Sequence, residues 1–451
     1  MQQSRGLTAE GWGMIPHYLR LGAISLRRQP ALTALMVCIM AFGIAATSVT
    51  YAAWRVATAD PMPSKASHLF FPQIDAQGPA GRGGGLDPDR ALDYVDATRL
   101  LRDHQARYQA AMYGVALLLG PMTAQGSPKL LSGHAVSPEF FPMLELPFHF
   151  GSSWSAADEA GAGHVVVIGS QLNQQLFGGR DSVGRVLTLD GHDFRVVGVM
   201  APWNPQPQFY DLFNSQAWSN QGEQLFIPLN TAIAMQEGNN GTTNCSTGNG
   251  NSSFQALLGS TCVWLSMMVE LDSPAAERHY RAYLDNYART QQATGRYAWA
   301  PNNRLRDLPH WLAYLGVVPP DTRISSWIAL SLLLVCMVNT IGLLLAKFMR
   351  RRAEIAVRRA LGATRRAIHL QFLCEAALVG VAGVLLSLLL TAAGIWGMGE
   401  LLLNGVASEV RFSLSLLITS ALLGLLTTVL AGLYPAWTAS RIQPALQLKI
   451  S

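Results

Sequence analysis

Four stretches of the 451-residue chain are almost unbrokenly apolar: roughly Pro30 to Ala53, Ile324 to Ala346, Phe372 to Met398 and Leu414 to Trp437. A hydrocarbon core about 30 Å thick needs roughly 20 apolar residues of helix, so each stretch predicts a transmembrane helix. No charged residue falls between Ser325 and Leu345, Ala376 and Met398, or Ser413 and Ser440. The flanks predict the orientation. Arg20, Arg27 and Arg28 precede the first stretch, Lys347 and seven arginines follow the second, and Arg441 and Lys449 follow the fourth. The link between the third and fourth carries Glu400, Glu409 and Arg411. Because basic residues stay on the cytoplasmic side, both termini (1–29 and 438–451) and the 347–371 segment are expected there. Residues 54–323 and the short 399–413 loop are expected outside. A cleaved signal peptide is the competing reading, since Ala57-Thr58-Ala59 resembles a cleavage site. The apolar run is too long and starts too late for one, which favours an uncleaved helix.

The other segments carry shorter periods. Met14–Arg28 places Ile15, Tyr18, Leu19, Gly22 and Leu26 on one face, which predicts an amphipathic helix lying on the inner membrane surface before Pro30 opens the first span. In the outer region, Pro88–His104 reads as a helix and His164–Ile168 as a short apolar strand. Ser170 is the expected cap of a helix ending at Gly178-Gly179. The run RVLTLDGHDFRVVGVM predicts a hairpin around Asp190-Gly191. CVWLSMMVEL reads as a strand, and Ser273-Pro274 opens a helix with Tyr280, Tyr283, Leu284 and Tyr287 on one face. Residues 203–255, rich in Asn, Gln, Gly and Ser, look like an inserted loop-rich subdomain. The predicted fold is a membrane α-helical protein: four transmembrane helices, with a large two-lobed mixed α/β domain between the first and second.

Three arginine pairs, Arg351-Arg352, Arg358-Arg359 and Arg365-Arg366, stand seven residues apart between the second and third spans. Seven residues is almost two helical turns, so the pairs share a face, with Val357, Ala360, Leu361, Thr364 and Ile368 on another. Gly362 is expected to break this helix, because glycine costs about 1 kcal/mol in a helix interior. Anchoring to anionic lipid is one role for the arginines. Nucleic-acid binding is not expected, since the segment is tied to the bilayer at both ends and lacks aromatic partners.

Only 14% of residues are charged and half are hydrophobic, as membrane segments require. Cys38, Cys336 and Cys374 lie in or beside spans and read as small hydrophobes. Cys245 and Cys262 both fall in the outer region, where an oxidising compartment favours pairing them. His134, His149, His164 and His192 lack ligand spacing and read as ordinary surface or packed histidines. No G-x-x-x-x-G-K-[ST] loop occurs in the chain. No intramembrane acid or base suggests an ion relay. The polar pair in the second span, Asn339 and Thr340, reads as interhelical hydrogen bonding, or more sharply as part of a substrate route. Gly43 and Thr47 give the spacing of a close helix contact in the first span.

The stretches RRRAEIAVRRALGATRRAIHLQFLCEA, AVSPEFFPMLELPFHFG, HVVVIGSQLNQQLFGGRDSVGRVLTLDG and LYPAWTASRIQPALQLK resemble the MacB/FtsX-type ABC transporter permeases over nearly the whole chain. Departures are small: Ser152 where an arginine is usual, and Thr438 and Gln443-Pro444 near the end. The resemblance implies a bacterial inner-membrane permease working as a dimer, with a second copy or a paralogue, on two separate ABC ATPase subunits. ATP and Mg would sit on those subunits; this chain would hold no catalytic residue, cofactor or metal. The element that meets the ATPase would be Glu354, Ile355, Arg358, Arg359, Leu361, Gly362, Ala363 and Thr364, with Ile355, Leu361, Gly362 and Ala363 as its docking surface. Its movement would drive the periplasmic domain and export a small molecule or peptide, alone or with a periplasmic adaptor and an outer-membrane duct. Relatives that activate a cell-wall hydrolase or extract lipoproteins set the alternatives.

Overall fold

The computed structural model describes residues 15–82, 85–121, 127–215, 217–218, 222–246, 253–317, 320–401 and 414–440. The expected tail 1–13, most of the 399–413 loop and the basic residues Arg441 and Lys449 lie outside them. The chain divides into two compact units, a helical one (1–58 with 319–451) and an extramembrane domain (59–318).

Helix α1 (Ile15–Arg28) precedes α2 (Pro30–Ala57). The extramembrane domain then begins with β1 (Leu69–Gln73), α3 (Tyr94–Asp103), β2 (Tyr108–Leu119), β3 (Lys129–Val136), β4 (Phe148–Gly151) and β5 (Val165–Ile168). It continues with α4 (Ser170–Phe177), β6 (Val186–Leu189), β7 (His192–Met200), β8 (Leu225–Pro228) and β9 (Ser266–Glu270). Helix α5 (Pro274–Ala293), β10 (Arg304–Asp307) and α6 (Leu308–Tyr314) complete it. The strands form one mixed sheet ordered β10-β1-β9-β2-β3-β8-β5-β7-β4, with β6 pairing β2 and β7. Alternation along the strands feeds two cores, one on each face. Val166, Ile168, Leu225, Ile227 and Val269 enter the core beneath α3 and α5. Val165, Val167, Phe226 and Met268 enter the other, with Phe140, Phe141 and Trp154.

Several local expectations shift. Helix α3 starts at Tyr94 rather than near Pro88, because Asp93 caps it through Asp96 N–H and Leu92 is already bridged to Leu265. The cap of α4 is Gly169, and Ser170 is its first residue. The hairpin turns at Asp190 and Gly191, with φ of 46° and 80°, as a type I′ turn requires. The 203–255 stretch is no separate subdomain: β8 lies inside it and pairs with β3 and β5 in mid-sheet. Its four residues, LFIP, are all buried, too short an apolar run to stand out in a polar segment.

The chain returns to the helical unit as α7 (Pro320–Met349), α8 (Arg352–Ala360), α9 (Arg365–Leu401) and α10 (Leu414–Ser440). Helices α2, α7, α9 and α10 are long and apolar enough to cross a membrane. At Gly43 a side chain would meet Cys336 of α7, with Cβ 2.9 Å from Cβ, so α2 and α7 approach closely there. Thr47 seals the contact by donating to Gly43 O (2.8 Å) and to Ala329 O of α7 (3.2 Å).

Candidate coupling site

Between the second and third spans the chain leaves α7, runs through α8, and turns back into α9. Helix α8 ends because Gly362 adopts φ +100°, the left-handed region that favours glycine. Ala363 N–H bonds to Arg358 O (3.0 Å) and Gly362 N–H to Arg359 O (3.2 Å), which closes a Schellman motif over the last turn. Thr364 Oγ1 accepts from Ala367 N–H (3.2 Å) and starts α9. The arginine pairs therefore do not share one unbroken helix face.

The two faces of α8 differ. Ile355 and Ala356 are buried, and Ile355 joins a core with Leu344, Phe348, Ile368 and Phe372, where the Phe348 and Phe372 ring centroids stand 4.3 Å apart. Ile355 thus anchors α8 from below and is not part of an outward surface, a correction to the sequence expectation. The outward apolar positions are Val357 (51% exposed) and Leu361 (83%). Gly362 and Thr364 are exposed beside Leu361, and Ala363 and Arg359 are half-buried.

Charge fixes α8 to its neighbours. Glu354 pairs with Arg351 (3.0 Å) and Arg358 (2.6 Å), and Arg358 also donates to Gln371 Oε1 of α9 (2.9 Å). Burial opposes ionisation of Glu354, but the Arg351 hydrogen bond and the charges of Arg351, Arg358 and Arg28 outweigh it and hold its carboxyl below the usual range. One layer deeper, Glu375 of α9 faces Lys347 Nζ of α7 at 2.7 Å and Arg351 at 3.4 Å. Ser25 Oγ of α1 donates to Glu375 (2.6 Å) and accepts from Arg351 (2.8 Å). Lys347 and Glu375 are 1% and 0% exposed. This buried lock joins α1, α7, α8 and α9, and sequence reasoning missed it. Lys347 read as a flanking charge, and Glu375, inside the predicted third span, was not singled out. The usable signal was a carboxylate inside FLCEAALV, a setting that requires a buried cation.

The remaining sequence-predicted residues lie elsewhere. Asn339 is exposed on α7, while Thr340 is buried and donates to Cys336 O (2.8 Å), so the pair points two ways. In the extramembrane domain Cys245 and Cys262 form a disulfide of 2.05 Å. His134 is no ordinary packed histidine. Its ring nitrogens face Asp211 (3.2 Å) and Glu223 (3.1 Å), all three nearly inaccessible, and Tyr210 donates to Glu223. Burial opposes its cation, but the two carboxylates prevail and push His134 up to about 10. Among the described residues no group of three or more His, Cys, Asp or Glu is arranged to hold a metal.

Known proteins share this organisation. The MacB-like periplasmic core domain matches residues 33–287, and the FtsX-like permease C-terminal domain matches 326–444. The pyoverdine export ATP-binding/permease protein PvdT of Pseudomonas syringae is 30% identical over 322 residues, 68% of this chain and 41% of its own length. The macrolide export ATP-binding/permease protein MacB of Wolinella succinogenes is 24% identical over 317 residues, 70% of this chain and 43% of its own. The chain thus spans about two fifths of the length of these curated relatives. The periplasmic region of MacB from Actinobacillus actinomycetemcomitans aligns over 56% of this chain and 95% of its own, at 12% identity and a TM-score of 0.36. With four apolar helices, a mixed α/β domain between the first two and both family models in register, the chain belongs to the MacB/FtsX-like family of ABC transporter permeases.

Proposed function

We propose that this chain is the permease of an ABC exporter in the bacterial inner membrane. In this reading α8 and the 361–364 turn face the cytoplasm with both termini, and the extramembrane domain faces the periplasm. The ATPase, with its ATP and Mg, lies outside these 451 residues and meets the Leu361 turn. A second copy or a paralogue completes a dimer. The cargo is a small molecule or peptide taken from the periplasmic side, with an adaptor and an outer-membrane duct as further partners. The named activities of PvdT and MacB favour export over signalling or lipoprotein extraction.

One observation carries the coupling role: an apolar tip, Leu361, stands 83% exposed on an element that is otherwise locked down. Ile355 roots α8 in the helix core, and the Glu354–Arg351–Glu375–Lys347 chain ties it to α7 and α9. A push on the Leu361 turn therefore reaches both helices instead of being absorbed by a loose loop. Helix α7, 30 residues and about 45 Å long, leads directly from the extramembrane domain to this element. The motion would reach the periplasmic domain along it, without a channel through the bundle.

Leu361→Asp tests the reading. Leu361 contributes little to the fold, so the variant should purify and unfold like the parent. Co-expressed with its ATPase, it should no longer co-purify with that subunit, and ATP-driven export should cease. A variant that retains both association and export would show that the ATPase docks elsewhere.

A further inference from the structure

Buried hydroxyls in folded proteins find partners, yet among the described residues Ser48 Oγ of α2 and Ser420 Oγ of α10 have none, although the two residues are 3% and 2% exposed. Both line the same cavity, about 220 Å³, between α2 and α10. Its other walls are Thr47, Tyr51, Thr419 and Leu423. A hydroxyl in a helix ordinarily bonds back to the carbonyl one turn before it. The neighbours do so: Thr47 to Gly43 O (2.8 Å), Thr50 to Ala46 O (2.9 Å) and Thr419 to Ser415 O (3.0 Å). Ser48 and Ser420 do not. Thr391 Oγ1 of α9 is also buried without a partner, one turn from Gly394, which abuts Val49 at the level of Ser48.

The groups around the cavity are ordered by depth. Toward the end of α2 that leads to the extramembrane domain, beyond the residues that line the cavity, Arg55 donates to Ser415 Oγ of α10 (2.7 Å) and so links the same two helices. Arg55 stands about 10 Å along the helix axis from Ser48. Between them Tyr51 and Trp54 stack at 6.0 Å, both partly exposed, the placement of an interfacial aromatic belt. Deeper than the hydroxyls lies Leu423. Among the described residues no charged side chain lines the cavity itself, and a desolvated ion would need one.

We propose that this cavity is a phospholipid site on the extramembrane-domain side of the bilayer. Cation, aromatic belt, paired hydroxyl donors and apolar floor follow the order of a glycerophospholipid from phosphate to ester carbonyls to acyl chain. The ester carbonyls accept from Ser48 and Ser420, the phosphate faces Arg55, and the acyl chain passes Leu423. The lipid sits between the first and fourth spans and joins them.

The test is native mass spectrometry of the full chain, delipidated and titrated with phosphatidylglycerol or phosphatidylcholine. It needs neither nucleotide nor an ATPase, so its outcome is independent of the coupling role. The parent is expected to bind one lipid saturably, with preference for the anionic one. Ser48→Ala with Ser420→Ala removes two hydrogen bonds and should weaken binding roughly thirtyfold. Arg55→Gln should keep binding but lose the preference for phosphatidylglycerol. The alanine pair deletes only unpartnered oxygens and should fold; should it not survive extraction, Ser420→Ala alone is read the same way, with roughly a fivefold loss. Equal affinity in parent and alanine variants, or only non-saturable binding by the parent, overturns the proposal.

Discussion

Replacing Glu375 by Gln should be among the most damaging conservative changes in the helical unit. The carboxylate is 0% exposed and stands 2.7 Å from Lys347 Nζ, itself 1% exposed. At an effective dielectric constant of about 20, two unit charges at that distance attract by about 6 kcal/mol, before desolvation is subtracted. Gln keeps the shape and can still accept from Ser25, but it leaves a buried ammonium without its anion. Breaking a buried pair from one side costs about 3–5 kcal/mol, and that is the loss expected for Glu375→Gln. Lys347→Met should cost less, because Glu375 keeps Arg351 at 3.4 Å as a cation. In Lys347→Met with Glu375→Gln no lone charge of the pair remains, so the double variant should be at least about 2 kcal/mol more stable than the sum of the single effects predicts. Reversible unfolding of the full chain in mixed micelles, run as a double-mutant cycle, measures this. Single effects below about 1 kcal/mol, or additive ones, would refute the claim that this pair holds α7 to α9.

In the extramembrane domain, the folded protein holds His134 at about 10, against an ordinary value of 6.5. A raised value means that its ion pairs contribute fully below about pH 6.5 and are lost as pH rises through about 10. Amide exchange across β3, corrected for its intrinsic pH dependence, should therefore quicken between these limits, and His134→Gln should remove the trend. An unchanged profile in the parent would show that His134 is not held as a cation. Reducing the disulfide between Cys245 and Cys262, 17 residues apart, should lower stability by about 3 kcal/mol. Exchange should rise first around the Asn244–Val263 bridge, and no change on reduction would place the loop's order in its other contacts.

The four spans were legible because length and apolarity suffice to define them, and no competing element needs 20 such residues. The Asp190-Gly191 turn was legible for a similar reason, since its geometry admits few residue types. Strand β8 was not, because four buried residues inside a polar stretch carry no period. The polar pair of α7 shows another limit. Asn339 and Thr340 are adjacent in sequence, but successive side chains point about 100° apart on a helix, so one is exposed and one buried. The same geometry separates Ile355 from Leu361, which the family resemblance had placed on one surface. The Lys347–Glu375 and His134–Asp211–Glu223 clusters needed the fold itself. Their members come from different helices, or from a strand and a loop, and no spacing in the chain brings them together.

The way the extramembrane domain is attached has a mechanical consequence. Its first strand, β1, pairs antiparallel with its last, β10, with Phe70 opposite Asp307 and Gln73 opposite Arg304, so the two connections to the spans leave from the same edge of the sheet. Tension between them would peel this ladder open from one end, a hydrogen-bonded pair at a time, instead of shearing all of it together. Stacking of Trp311 on Phe71, with centroids 5.0 Å apart, guards the end where peeling would begin. Under tension, β10 is where the domain would give way first.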